Sequence, residues 1–212
     1  MKKLLKIAII IIICAVIFAG AAFIVRGAAK PKTADIGTAE AISARADDEE
    51  LTGYAREILG ILNARDYVSL SQIAHPERGI VFVPYATVNL ASDCCFTPSQ
   101  IANFASDNSK YIWGVYDGSG EPVELTPSEY FNEFVFDVDF TKCNDFGINE
   151  VLRIGNSLEN IEDAFPGCVY VDCYMPDPAE EGGPNWQSLR LVFEEYDGKL
   201  MLSAIVHNEF TV

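Results

Sequence analysis

Histidine is scarce in this chain, with His75 and His207 the two examples in 212 residues. Few general acid–base schemes remain open, because histidine is the side chain whose ordinary pKa lies near neutrality. Paired short cysteine spacings are missing too. Five of the six cysteines lie beyond residue 25, but the vicinal Cys94-Cys95 and the wide interval between Cys168 and Cys173 are not the C-x-x-C pairs of a structural zinc site. No metal site and no cofactor is therefore expected. There is no internal repeat and no low-complexity tract. Acidic residues are absent from the first 32 positions, where six basic ones stand.

Those six flank an uninterrupted apolar run, Ile7 to Val25. Its 19 residues span about 28 Å at ~1.5 Å per residue, close to the ~30 Å of a bilayer core. Residues 1–25 are thus expected to be a signal-anchor that crosses a cell membrane once, with Lys2, Lys3 and Lys6 left inside. The competing reading is a signal peptide cleaved near Ala21, after the small-x-small run Ala19-Gly20-Ala21, which would leave a secreted protein. Lipidation at Cys14 is disfavoured by Ile13. Residues 26–46, rich in Ala, Gly, Lys and Thr, read as a flexible tether. Residues 47–212 form one extracytoplasmic domain, long enough for a sizeable core.

Beyond residue 32 the chain carries nine basic and all 31 acidic side chains, a net charge of −22. Nucleic acid is excluded as a partner by that sign, and anionic headgroups are disfavoured. The acidity serves solubility. An odd number of exported cysteines leaves at least one thiol unpaired. Cys168 and Cys173, five apart in a strand-like run, should face opposite sides. Buried thiols are expected, with room for one bridge through Cys94 or Cys95.

Asp47 to Glu50 suits a helix start, and Leu51, Tyr54, Ile58, Ile61 and Leu62 continue it at helical spacing to about Ala64. A shorter helix begins at Asp66 and ends at His75-Pro76. Gly79 to Tyr85 reads as a strand. Thr97-Pro98-Ser99-Gln100 and Thr126-Pro127-Ser128-Glu129 are near-identical capping boxes, which predict helices over 98–106 and 127–135. Tyr111 to Tyr116 is a strand running into the turn Asp117-Gly118-Ser119-Gly120, and Leu158 to Phe165 a last short helix.

Strands dominate the C-terminal third: Val169 to Tyr174, then Trp186 to Tyr196 and Lys199 to Thr211 as a hairpin about Asp197-Gly198. A regular register sets Tyr196 against Lys199, Phe193 against Leu202, Leu191 against Ala204 and Leu189 against Val206. The wholly apolar face is then the core. The other face carries Trp186, Arg190, Ile205 and His207 among mixed residues, and is predicted to be the contact or dimer surface.

This order predicts an α+β fold with helices on one sheet face. The opening helix, Asn63-Ala64-Arg65-Asp66-Tyr67, the exit His75-Pro76-Glu77-Arg78-Gly79 and the closing Leu191-Val192-Phe193 to Asp197-Gly198-Lys199-Leu200 hairpin together resemble the NTF2-like superfamily. The likeness covers about residues 55–212, and the chain looks like the exported NTF2-like domains of Gram-positive bacteria that have no assigned activity. It implies a cone of helices packed on a curved antiparallel sheet. Enzymes of this fold hold Asp, His or Tyr inside the cone, but none of their motifs matches here.

Bland readings win at the other candidates. His75 is expected to be structural, and His207 to point away from the cone. Asp137 and Asp139 are expected to be solvated. Asp117, Ser119 and Glu121 have the first spacings of a calcium loop but not the rest, so a turn is expected. The function predicted is a membrane-tethered binding or interaction module of a bacterial envelope, with an envelope protein or small apolar ligand as partner. The alternative is a small hydrolase or isomerase with a site inside the cone.

Overall fold

The computed structural model describes residues 41–180 and 182–211. The predicted anchor at 1–25 and most of the tether lie outside them. Among the described residues no helix is long and apolar enough to cross a membrane. The last tether residues pack on the domain: the Leu200 amide donates to Ile42 O at 2.8 Å and the Ala44 amide to Gly198 O at 3.0 Å.

Helix α1 (Asp48–Ala64) begins where its caps require. The Asp47 carboxylate accepts from the Glu49 and Glu50 amides, Glu50 reaches back to the Asp47 amide, and three acidic residues face the positive helix end. Its buried face is Leu51, Tyr54, Ala55, Ile58, Leu59, Ile61 and Leu62. Arg65, left-handed at φ 53°, turns the chain into α2 (Tyr67–Ile73), which Asp66 caps. Both Thr-Pro-Ser boxes form as predicted. The regular α turn is short in each case: α3 (Pro98–Ile101) is followed by a 3-10 turn at Phe104–Ser106, and α4 (Pro127–Tyr130) by a π turn at Phe131–Val135. A one-turn α5 (Ile161–Ala164) is the last helix described.

The strands are β1 (Ile80–Val83), β2 (Cys94–Phe96), β3 (Tyr111–Val115), β4 (Pro122–Leu125), β5 (Asp145–Ile148), β6 (Val169–Met175), β7 (Gln187–Tyr196) and β8 (Lys199–Glu209). Six of them form one sheet in the order β2-β1-β8-β7-β6-β5, and β3-β4 stand apart as a hairpin. The predicted antiparallel sheet needs one correction. β1 runs parallel to β8, with Val81 opposite Ala204, since α3, β3 and the following segments separate them in the chain. The class is α+β, with α1 and α2 packed on one face of the sheet.

A bulge in β8 corrects the hairpin. Asp197 and Gly198 take positive φ (52° and 75°), and Tyr196 pairs with Lys199 and Phe193 with Leu202, as predicted. Ser203 is then an extra residue, so Val192 meets Ala204, Leu191 meets Ile205 and Leu189 meets His207. Strand side chains alternate with period two, so one inserted residue moves everything after it to the opposite face. Ile205 joins Leu189, Leu191, Phe193 and Leu202 in the core beneath the helices. Ala204 and Val206 join Val192, Val81, Val83 and Tyr170 on the other face, where Ile161 and Phe165 cover them. Trp186, Arg190, Ile205 and His207, expected on an exposed mixed face, are buried, while Glu194 and Met201 at the turn end stay half-buried.

All five described cysteines are free, so no bridge forms through Cys94 or Cys95. Cys173 is in the core under the helices and Cys168 packs at the outer face, on opposite sides as predicted.

Candidate functional site

The four residues predicted to share a contact surface are 0–1% exposed and lie in separate places. Trp186 packs beside Tyr174, ring centres 6.1 Å apart. Arg190 lies under the outer covering segment. Its Nη1 meets Glu159 Oε2 at 2.5 Å, its Nε lies 3.4 Å from Asp172 Oδ1, and Nη2 donates to Arg153 O at 3.3 Å. Asp172 also accepts from the Leu152 amide at 2.9 Å and from the Ser188 hydroxyl. Burial pushes the Asp172 carboxyl up, opposed by Arg190 and these donors. The group fastens segment 151–160 to the sheet, a structural role.

Ile205 and His207 turn inward because of the Ser203 bulge. The His207 ring is 1% exposed and stands edge-on to Phe134 at 5.8 Å. Its Nδ1 lies 3.0 Å from Pro84 O, a contact only a protonated Nδ1 can make favourably. Its Nε2 faces Asp137 Oδ2 at 3.4 Å but is not aligned with it as a hydrogen bond, and has no other partner. Glu209, two residues along the same strand face, completes a trio whose ligand atoms lie within 4.8 Å of one another. Burial works against a charged imidazole, yet Asp137, Glu209 and the Pro84 carbonyl outweigh it and raise its pKa. Burial also raises Glu209, reinforced by Asp137 and Glu133 and opposed by His207.

Asp137, expected to be solvated, is an exposed residue; it follows the π turn, where the Phe136 amide donates to Phe131 O, and its carboxylate also reaches the His207 ring at 3.4 Å. Asp139 caps the turn at Phe140–Lys142 and pairs with Lys142 at 3.1 Å. The Asp117 region is a hairpin turn closed by Gly120 N to Tyr116 O at 2.9 Å, as predicted. His75 Nδ1 accepts from the Arg78 amide at 3.1 Å, the structural role foreseen for it.

A cleft of about 620 Å³ is lined by Pro84, Tyr85, Asp93, Ile112, Val115 and Tyr116, among others. Ile112 and Val115 are 61% and 55% exposed. Gly114 lets β3 approach this wall: a Cβ there would lie 3.0 Å from Pro84 Cγ, at a φ of +151°. Burial pushes the Asp93 carboxyl up to about 6, against the donated Asn89 amide. The hydrogen bond from the Tyr116 hydroxyl to Glu133 pushes the phenol up to about 12.

By contrast, the space between helices and sheet is filled. Phe82 touches Phe96, Phe104, Trp113, Tyr130 and Phe131, with ring centres 5.6–6.0 Å apart, and Trp113 stacks on Tyr130 at 3.9 Å. These six rings are 0–3% exposed.

Sequence reasoning missed the cleft because Ile112 and Val115 read as ordinary strand residues. The available signal for His207 was the three-residue step from Leu202 to Ile205, which breaks the alternation at Ser203-Ala204.

No protein-family model and no curated protein matches the chain. Among solved structures, a designed NTF2-like protein aligns at 10% identity and a TM-score of 0.29, over 76% of this chain and all of its own. A likeness at that level carries no argument.

Proposed function

We propose that residues 47–211 form an NTF2-like binding module. In this reading residues 1–25 hold it at a bacterial cell membrane, and it engages another envelope protein through the cleft beside Pro84 and Tyr85. The observation that carries the reading is the pair of exposed aliphatic side chains, Ile112 and Val115, in the wall of a 620 Å³ cleft, while the cone interior is occupied by the protein's own rings. Apolar groups exposed together in a concavity favour a contact site over solvent exposure. Asp93 and Asp117 in the same lining, and the net charge of −22 beyond residue 32, match a partner segment that is apolar and basic. The membrane location rests on the apolar run Ile7–Val25 and its basic flanks.

The rival, a small hydrolase or isomerase acting inside the cone, draws on the His207–Asp137 contact. Against it stand the 1% exposure of the ring and the packed interior.

The test is photo-crosslinking in native envelopes from a reporter at Leu90, an exposed neighbour of the cleft. Ile112→Asp with Val115→Asp should abolish the adduct without changing the fold. Unchanged adducts would refute the cleft as the contact.

A further inference from the structure

We propose that Asp137, His207 and Glu209 form a binding site for a divalent transition-metal ion of the zinc class, a site independent of whatever the neighbouring cleft binds. One nitrogen and two carboxylate donors meet with ligand atoms within 4.8 Å of one another. The 3.4 Å between His207 Nε2 and Asp137 Oδ2 is the spacing of two ligands each about 2.1 Å from a tetrahedral ion. Glu209 closes the remaining gap by rotating a three-bond side chain.

The histidine supplies the second, independent observation. A backbone carbonyl on Nδ1 is the usual outer partner of a metal-bound imidazole, and it directs the Nε2 lone pair at the metal position. Here Pro84 O is that partner at 3.0 Å. Nε2 is left as a buried polar atom without a hydrogen bond, facing the Asp137 carboxylate at 3.4 Å, with the Glu209 carboxylate within 4.8 Å of both. Such an atom has lost its hydration without compensation unless something occupies the space before it.

Phe134, edge-on at 5.8 Å, and the strand backbone fix the ring, so the nitrogen donor is preorganised. Asp137, with its side chain 19% exposed, gives the entry path. Charge favours a dication: with the proton on Nδ1 the imidazole is neutral, and the two carboxylates beside it, Asp137 and Glu209, make the site anionic. The donor set selects the metal class. Calcium and magnesium require mostly oxygen and more ligands, whereas a nitrogen with two carboxylates and open positions suits zinc, manganese or iron.

The experiment titrates zinc chloride into the chelator-stripped full chain in detergent, by calorimetry. Cys94→Ser and Cys95→Ser remove a vicinal pair of thiols, one half-buried and one exposed, that would compete for zinc. One zinc per chain should bind, and Asp137→Asn or Glu209→Gln should each weaken it by more than about tenfold. Neither of these two is fully buried, and unchanged circular dichroism would establish that both variants fold. On zinc addition the His207 ring nitrogen resonance assigned to Nε2 should shift while Nδ1 keeps its proton. Absence of zinc binding, binding indifferent to both carboxylate variants, or an unmoved Nε2 resonance would each overturn the site.

Discussion

Arg190 offers a sharp test of whether the outer sheet face is interior. Arg190 and Asp172 are cross-strand neighbours, each with a 0% exposed side chain. Arg190→Met keeps most of the side-chain volume but removes the charge. Asp172 is then a buried carboxylate facing only the Ser188 hydroxyl and the Leu152 amide. Glu159, with 18% side-chain exposure, can turn towards water. Removing one partner of a buried pair costs about 3–5 kcal/mol, a large share of the ~5–15 kcal/mol that stabilises a domain. Adding Asp172→Asn discharges the orphan, while its amide can keep both hydrogen bonds. Arg190→Met with Asp172→Asn should therefore recover all but about 1–2 kcal/mol.

Urea unfolding supplies the readout, as a lower midpoint with unchanged slope for the single variant. The deficit should also depend on pH. Burial already holds the Asp172 pKa above its ordinary 3.8, and loss of Arg190 raises it further. A carboxyl raised in the folded state loses stability as pH climbs, so the deficit should shrink in acid. A loss below about 1 kcal/mol, or no rescue by Asp172→Asn, would refute the buried network. Altered self-association at unchanged stability would return Arg190 to a contact surface.

Three further outcomes can be measured on the same protein. Asp93→Asn should stabilise the domain at pH 7 and do little at pH 4. The carboxylate is disfavoured in the folded state below its pKa of about 6, and Asn can still accept the Asn89 amide; equal midpoints at pH 7 would contradict this. Thr126→Ala should cost about 1 kcal/mol, because it breaks a reciprocal cap with Glu129; thermal melts would read it. Gly79→Ala should be far worse than an ordinary surface change. Its φ is +82° and a Cβ would sit 2.2 Å from Phe96 O, so β1 and β2 must separate, visible as lost amide protection at Phe96.

Local signals carried much of the fold. Asp47, Asp66, Thr97 and Thr126 each announced a helix start, because a cap is a short-range hydrogen-bond pattern written within four residues. Asp197-Gly198 announced the hairpin for the same reason. What was not legible depended on distant partners. Strands β2, β4 and β5 have three or four residues each, too few for a period to emerge. Segment 149–160 is irregular and is held by polar pins from afar: Asn160 bonds both backbone groups of Val88 at 2.8 and 2.9 Å, and Arg190 reaches Glu159. Most consequential was Ser203. One unpaired residue inverted the assignment of Ile205 and His207, and a separate π turn that no spacing rule foresaw set Asp137 against the inward ring.

The most direct measurement is therefore the register of β7 against β8 beyond the bulge, read from nuclear Overhauser contacts in solution. Leu191 should contact Ile205 across the strands, Leu189 should contact His207, and the His207 ring protons should contact the Phe134 ring. Contacts from Leu191 to Ala204 and from Leu189 to Val206, with the imidazole free in solvent, would contradict the bulge, the inward histidine and the metal site together.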